Sequence, residues 1–295
     1  MIDGRPITIT TGSMNRKGAL RKALRTWSCL HEVDHIIIVD WSSTEPLNEV
    51  LRDFMELDSR IRVVRIVDQK HWCNSKCHNL EIRLVPEDNL LLRLDNDTLV
   101  RHDFFARHSY RPGTFYAGNW RTVLDEVDDK RNLTGTLFID PAYLLRVNGY
   151  NERLIHYGRE DDELYARLAV EGYRWQELDL DTLEHLTHAD RARYENLSIA
   201  PEVSKEAAKL VKQAQIWNDH GSGTDVRQML VALSNQILAD KPWTPTDRMT
   251  KWTCRQVSDN YWEGRETKTA NKEEGKTFKN LGGTFGRACD EDEGT

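Results

Sequence analysis

Long apolar runs are missing from this 295-residue sequence. The most extended, Ile36–Val39 and Leu90–Leu92, fall far short of the roughly 20 residues that a bilayer core requires, so no transmembrane segment is expected. Residues 1–15 interleave Thr and Asn with apolar positions and lack a basic start followed by an apolar block. No signal peptide is therefore legible, and a cytoplasmic location is expected. Cysteine is scarce: five residues, an odd number, exclude a full disulfide framework and fit a reducing compartment. Three Asn-x-Ser/Thr strings, at Asn96, Asn132 and Asn196, weigh the same way, because a glycan on the first would block a loop singled out below. Also absent are Gly-x-Gly-x-x-Gly and Gly-x-x-x-x-Gly-Lys, so neither a dinucleotide-binding dehydrogenase nor a P-loop enzyme is supported. Ser13 and Ser28 lack the Gly-x-Ser-x-Gly setting of a serine nucleophile. A formal net charge of −7 argues against nucleic-acid binding over the whole surface.

What is present is a chain 39% apolar and 30% charged, the balance of one substantial globular domain with a smaller appendage. From Pro6 to about His188, short apolar runs alternate with amphipathic stretches, as in an α/β domain with a largely parallel sheet. Ile7–Thr11, Ile36–Asp40, Ile61–Val67 and Leu90–Leu94 read as strands. Residues 14–28, 45–57 and 75–84 read as helices, the first because Ala19, Leu20, Ala23, Leu24 and Trp27 recur at helical spacing. Past about residue 200 the pattern changes to helical stretches at 203–217 and 226–238, then a polar tail. The expected division is 1–198 for the α/β domain and 199–295 for a helical extension whose tail has few apolar anchors.

Ligands of open α/β sheets bind beyond the carboxyl ends of the strands, and Asp40 and Asp95 stand at two such ends. In Asp95-Asn96-Asp97, two carboxylates one residue apart after a buried strand have the chemistry to hold a divalent cation that also grips a diphosphate. The other reading is an Asx-rich turn capping the next helix. Glu160-Asp161-Asp162-Glu163 opens a helix, where one or two acids would favour the helix dipole. Four exceed that need, and crowded carboxylates are better explained by a general base or by acceptor or cation binding. His185 and His188 lie on an alternating stretch that reads as a strand. A neutral imidazole there would complete a carboxylate-held metal site and suit Mn²⁺ better than Mg²⁺, with His188, at the strand end, the better placed. Cys73 and Cys77, despite nearby His71 and His78, have no second pair at a zinc-finger distance.

Together these segments resemble the GT-A glycosyltransferases over roughly residues 6–190, and the acceptor-side segment resembles that of β-1,4-galactosyltransferases. The resemblance implies an α/β, Rossmann-like, mostly parallel sheet flanked by helices. It implies that Thr10, Thr11 and Arg16 belong to a nucleotide-binding first strand and loop, and that Asp40 contacts the base. Lys76 and Asn79 fall on the element before the metal motif, where His78 replaces the usual Arg. Asp95, Asn96 and Asp97 match the Asp-x-Asp motif, and His188 the late metal ligand. Asn148-Gly149-Tyr150 through Tyr157-Gly158-Arg159-Glu160-Asp161-Asp162 is similar to Asn-Gly-Phe followed by Gly-Gly-Glu-Asp-Asp, with Arg159 in place of a Gly. Asp161 falls on the catalytic base and Glu160 beside it, while Gly149, Tyr157, Arg159 and Asp162 fall on the acceptor side.

The activity so implied is a Mn²⁺- or Mg²⁺-dependent transfer of a sugar from a nucleotide-sugar, UDP-linked, to the hydroxyl of an acceptor glycan or another hydroxyl compound, with inversion. Retaining transfer is the nearest alternative. A nucleic-acid acceptor, or a non-enzymatic glycan- or nucleic-acid-binding module, is the other, because residues 241–287 interleave Trp243, Trp252, Tyr261, Trp262, Phe278 and Phe285 with ten Lys or Arg and six acids, a mixture able to grip phosphates while bases stack. A helical lid with a solvated tail also accounts for that segment.

Overall fold

The computed structural model describes residues 4–119, 130–154, 158, 160–187 and 249–267. The chain opens with β1 (Ile7–Ser13), α1 (Lys17–Trp27), β2 (Val33–Trp41), α2 (Leu47–Val50), α3 (Arg52–Leu57), β3 (Ile61–Ile66), α4 (Asn74–Leu84) and β4 (Leu90–Arg93). After β4 come β5 (Thr98–Val100), α5 (Phe104–Arg107), β6 (Thr114–Ala117), β7 (Leu137–Ile139), α6 (Pro141–Arg146), α7 (Glu160–Val170), β8 (Arg174–Glu177) and β9 (Leu183–His185), with β10 (Trp252–Ser258) and β11 (Tyr261–Glu266) last. Among the described residues no helix is long and apolar enough to cross a membrane.

Nine strands form one sheet in the order β10-β11-β3-β2-β1-β4-β7-β6-β8. Every residue of β1 is buried, as a strand covered on both faces must be, and it pairs in parallel with β2 and β4. Its neighbours to one side, β2 and β3, continue in parallel, whereas β7 runs antiparallel to β4. Connections from β1 lead one way to β2 and β3 and the other way to β4. The topological switch point therefore lies between the carboxyl ends of β1 and β4, where Asp95-Asn96-Asp97 begins. α1 buries Leu20, Ala23, Leu24 and Trp27 against the sheet, four of the five apolar positions its spacing singles out, Ala19 being half-buried. The expected helix 45–57 is instead α2 and α3, interrupted at the fully buried Leu51, whose φ and ψ are −106° and 12°.

The last strand pair departs from the expected helical extension. β10 and β11 form an antiparallel hairpin, and β11 adds in parallel to β3, with Tyr261 opposite Val63 and Gly264 opposite Ile66. Trp252 and Trp262 are buried with Trp41, Val64, Ile66 and Leu80 in one apolar cluster, Trp252 meeting Trp41 edge to face at 5.2 Å. β-branched and aromatic residues within polar surroundings are what an edge strand needs, and that pattern competes with a helical reading of so short a segment. Trp252, Tyr261 and Trp262 lie in the core and are not presented for stacking on bases. Trp243, Phe278, Phe285 and the helical patterns at 203–217 and 226–238 lie outside the described residues.

Because Trp262 is almost fully buried between α4 and the sheet, Trp262→Ala is expected to destabilise the protein by about 3–5 kcal/mol. A urea-unfolding midpoint equal to that of the wild type would show that the hairpin is no part of the cooperative sheet.

Candidate active site

The centre of the site is assembled from three loops at the switch point. Asp95 follows β4 with a side chain 42% exposed, and its Oδ1 accepts from Arg93 at 2.9 Å. Asn96 donates to the carbonyl of Gly12 at 3.0 Å, tying this loop to the end of β1. Across the cleft, Asp161 stands in the first turn of α7 with Oδ1 4.0 Å from Arg93 Nη1, and the Tyr150 hydroxyl donates to it at 3.3 Å. Gly135, before β7, marks how closely the two acids converge. A Cβ on Gly135 would lie 3.2 Å from Asp161 Oδ2, 3.4 Å from Asp95 Oδ2 and 2.9 Å from Arg93 Nη1. Both carboxylates thus reach within 3.4 Å of a single point.

Burial raises the Asp161 carboxyl well above the ordinary carboxylate range. Arg93 opposes that rise, while the negative charges of Glu160 and Asp95 add to it. Glu160 is itself buried. One of its oxygens accepts from Asn74 Nδ2, the other has no hydrogen-bond partner among the described residues, and burial raises this carboxyl too. Asp162 follows, half-buried, on the same turn.

On the other flank of Asp95, Asp97 is buried, and its Oδ2 lies 3.7 Å from His185 Nε2. The short ladder of β5 with β9 brings them together, Thr98 opposite His185, and the Leu186 amide donates to the Asp97 carbonyl at 2.8 Å. β9 ends at His185 rather than at His188, so the histidine beside Asp97 is the one given second place on sequence. His188, Tyr157 and Arg159 lie outside the described residues. Among the described residues no three His, Cys, Asp or Glu side chains form a metal-binding group.

Several residues assigned to the donor have other occupations. Asp40 is fully buried; its oxygens accept from the amides of Ser43 and Leu47 and pair with Arg65. It shapes the turn after β2 instead of offering an acceptor to a base. Asn79 donates to the Tyr150 carbonyl at 2.9 Å and accepts from the Tyr150 amide at 2.7 Å. It is a clamp on the Asn148-Gly149-Tyr150 turn. Lys76 pairs with Glu266 of β11 at 3.1 Å. Thr10 points into the protein, donating to Glu81 at 3.0 Å. Thr11 and Ser13, at the end of β1, carry buried hydroxyls without hydrogen-bond partners among the described residues, and Arg16 is half-buried at the start of α1.

The sequence reading passed over Arg93 and Glu81, and noted His78 only as the residue in place of the usual Arg. Arg93 was visible as the one charge in the apolar run Leu90–Leu94, and a charge in a strand buried on both faces demands partners. Glu81 is fully buried; burial would raise its carboxyl, but His78, Arg93 and Thr10 hold it below its usual value.

The fold has counterparts among solved structures. The catalytic domain of Drosophila β1,4-galactosyltransferase 7, solved with xylobiose, superposes with a TM-score of 0.50 at 11% identity, covering 90% of this chain and 95% of that one. A mannosyltransferase from Pyrobaculum calidifontis, solved with GDP-Man and Mn²⁺, superposes with a TM-score of 0.51 at 14% identity, covering 80% and 70%. The fold is the GT-A fold. Residues 126–191 also match the family model described as the N-terminal domain of galactosyltransferase. That stretch of the GT-A fold holds Gly135, the Gly149 turn and the acidic start of α7. No curated protein matches the chain by sequence.

Gly149 has φ +62°, and a Cβ there would collide with Asn79 Oδ1 and Met249 Cε. Gly149→Ala is therefore expected to lower stability by about 1–3 kcal/mol, read as a fall in melting temperature. An unchanged melting temperature would mean that the turn is not held as described.

Proposed function

We propose that this chain is a metal-dependent glycosyltransferase that moves a sugar from a nucleotide-sugar, UDP-linked, onto an acceptor hydroxyl with inversion. The observation that carries this reading is the convergence of Asp95 and Asp161 on one point at the switch point of the sheet. One carboxylate flanks an acidic loop suited to a cation and diphosphate. The other stands opposite, half-buried and raised, as a general base needs to be near neutral pH. The resemblance to galactosyltransferases over residues 126–191 supports the same roles, with the acceptor beside Gly149, Tyr157, Arg159 and Asp162.

The residues present fit a divalent cation. Asp95, Glu160 and Asp161 bring three carboxylates within electrostatic reach of Arg93, Asp97 adds a fourth on the far flank of the same loop, and one Glu160 oxygen has no hydrogen-bond partner among the described residues. Oxygen donors with an imidazole alongside suit Mn²⁺ and accept Mg²⁺. Asp97 and Asp95 would hold it, with His185 or His188 completing the set. Bound there, the ion would neutralise charge on the departing nucleoside diphosphate. Asp161 accepts the proton of the acceptor hydroxyl as that oxygen attacks the anomeric carbon, while Tyr150 orients the receiving carboxylate. Thr11, Ser13 and Arg16 at the end of β1, with Asn96, line the donor side.

Transfer by Asp161→Asn is expected to fall about 10²–10⁴-fold with donor affinity preserved, and chelation is expected to abolish a rate that Mn²⁺ restores. Wild-type transfer in that variant, or indifference to a chelator, would remove the base or the metal from the scheme. The anomeric configuration of the product, read by NMR, decides inversion against retention. A screen of UDP-, GDP- and TDP-sugars by thermal shift identifies the nucleotide, since a ligand bound to the folded state raises its melting temperature.

The pH dependence follows from the raised Asp161 carboxyl. A base works only when ionised, so kcat/KM should rise with pH along a limb above the ordinary aspartate value of about 3.9. Glu160→Gln removes a negative neighbour, makes ionisation of Asp161 easier and should move that limb to lower pH. A limb unmoved in Glu160→Gln would assign the titration to another group.

A further inference from the structure

Beneath the two aspartates runs a buried chain of hydrogen bonds that the transfer scheme above leaves without a task. Arg93 closes β4 at 4% exposure. Its Nη2 donates to Asp95 Oδ1 at 2.9 Å and to His78 Nε2 at 2.5 Å, while its Nη1 donates to the Gly135 carbonyl and faces Asp161 at 4.0 Å. An arginine N–H can only donate, so Nε2 of His78 accepts and the ring proton sits on Nδ1. That nitrogen lies 3.1 Å from Glu81 Oε1, whose other oxygen accepts from Thr10. The guanidinium head is thus held from the α4 side by His78, from the β7 side by Gly135 and from above by Asp95. Turning it away would leave several donors unpaired in a dry environment, which is costly.

Asp95 and Asp161 belong to separate elements, the loop after β4 and the first turn of α7, and nothing in the backbone fixes their separation. Two carboxylates reaching within 3.4 Å of one point also repel each other. A cation shared between them sets both distance and orientation. We propose that Arg93 is a positioning residue for sugar transfer, a buried fork that holds Asp95 and Asp161 at their working separation across the cleft. The proposal rests on the transferase reading above. Lysine cannot substitute, because an ammonium is a point charge without the planar fork that reaches Asp95, His78 and Gly135 together.

The test measures transfer and donor affinity for the full chain and its Arg93→Lys, Arg93→Ala and Asp161→Asn variants, with melting temperatures alongside. Arg93→Lys is expected to lose about 100-fold in kcat, as a displacement of roughly 1 Å between reacting groups does, with the KM for donor little changed. In Arg93→Ala, added guanidinium at non-denaturing concentration should restore part of the kcat, and NaCl at the same ionic strength should not. If Arg93→Ala fails to fold, the milder Arg93→Lys and Arg93→Gln carry the test, and both should show the loss of kcat at unchanged KM. Wild-type kcat in folded Arg93→Lys, or losses confined to KM, would overturn the proposal. If Asp161→Asn is inactive while both Arg93 variants keep their kcat, only the role of Arg93 falls. If Asp161→Asn is itself fully active, the transferase scheme falls first.

Discussion

A strand covered on both faces has room for function only at its ends, and β1 imposes that constraint on the whole molecule. All seven of its residues are buried between parallel neighbours. Polar chemistry is consequently pushed to the carboxyl edge of the sheet, where the connections from β1 diverge. Asp95, Asn96 and Asp97 leave β4 at that divergence, and Asn96 reaches back to Gly12. Opposite them stand the Gly135 carbonyl and the side chains of the first turn of α7, both on the flank that begins with the antiparallel β7. The cleft lies between the parallel half, suited to a nucleotide, and the mixed half.

Charge inside this scaffold is managed by matching rather than exclusion. Glu81 and Arg93 are buried ions whose partners are each other's neighbours, linked through His78. Removing one member of such a set leaves another unpaired, which explains why buried ion networks are stringent about identity. Glu152 does comparable work near the surface. It accepts from Asn79 at 2.9 Å and from the Thr250 amide at 2.9 Å, so the turn at Gly149 and the approach to β10 share one carboxylate.

The parallel strands and α1 were legible because burial on both faces gives continuous apolar runs and a packed helix gives 3.6-residue spacing. Asp95 and Asp161, singled out by their order along the chain, do come together at one end of the sheet. Asp40, Asn79 and Lys76 were read as ligand contacts, yet a polar residue at a strand end or on a helix looks the same in sequence whether it meets a ligand or a neighbouring segment. Only three-dimensional partners separate the two cases, and Arg65, Tyr150 and Glu266 are distant in sequence. Arg93 and Glu81 escaped because spacing arguments seek clusters along the chain, whereas their cluster forms between α4 and β4. The hairpin escaped because its strands are short, charged and follow a long polar segment, so nothing local marks Trp252 and Trp262 as interior.

The parallel pairing of β11 with β3 ties the order of synthesis to the order of assembly. During translation β3 exists as a finished strand long before Tyr261 emerges to lie against Val63. Throughout that interval its outer edge is a row of open amides and carbonyls flanked by Val64, Ile66 and Trp41, a surface prone to recruit another chain. The nascent protein must therefore keep that edge unsatisfied, or shielded by other means, until β10 and β11 have been made and the hairpin closes on β3.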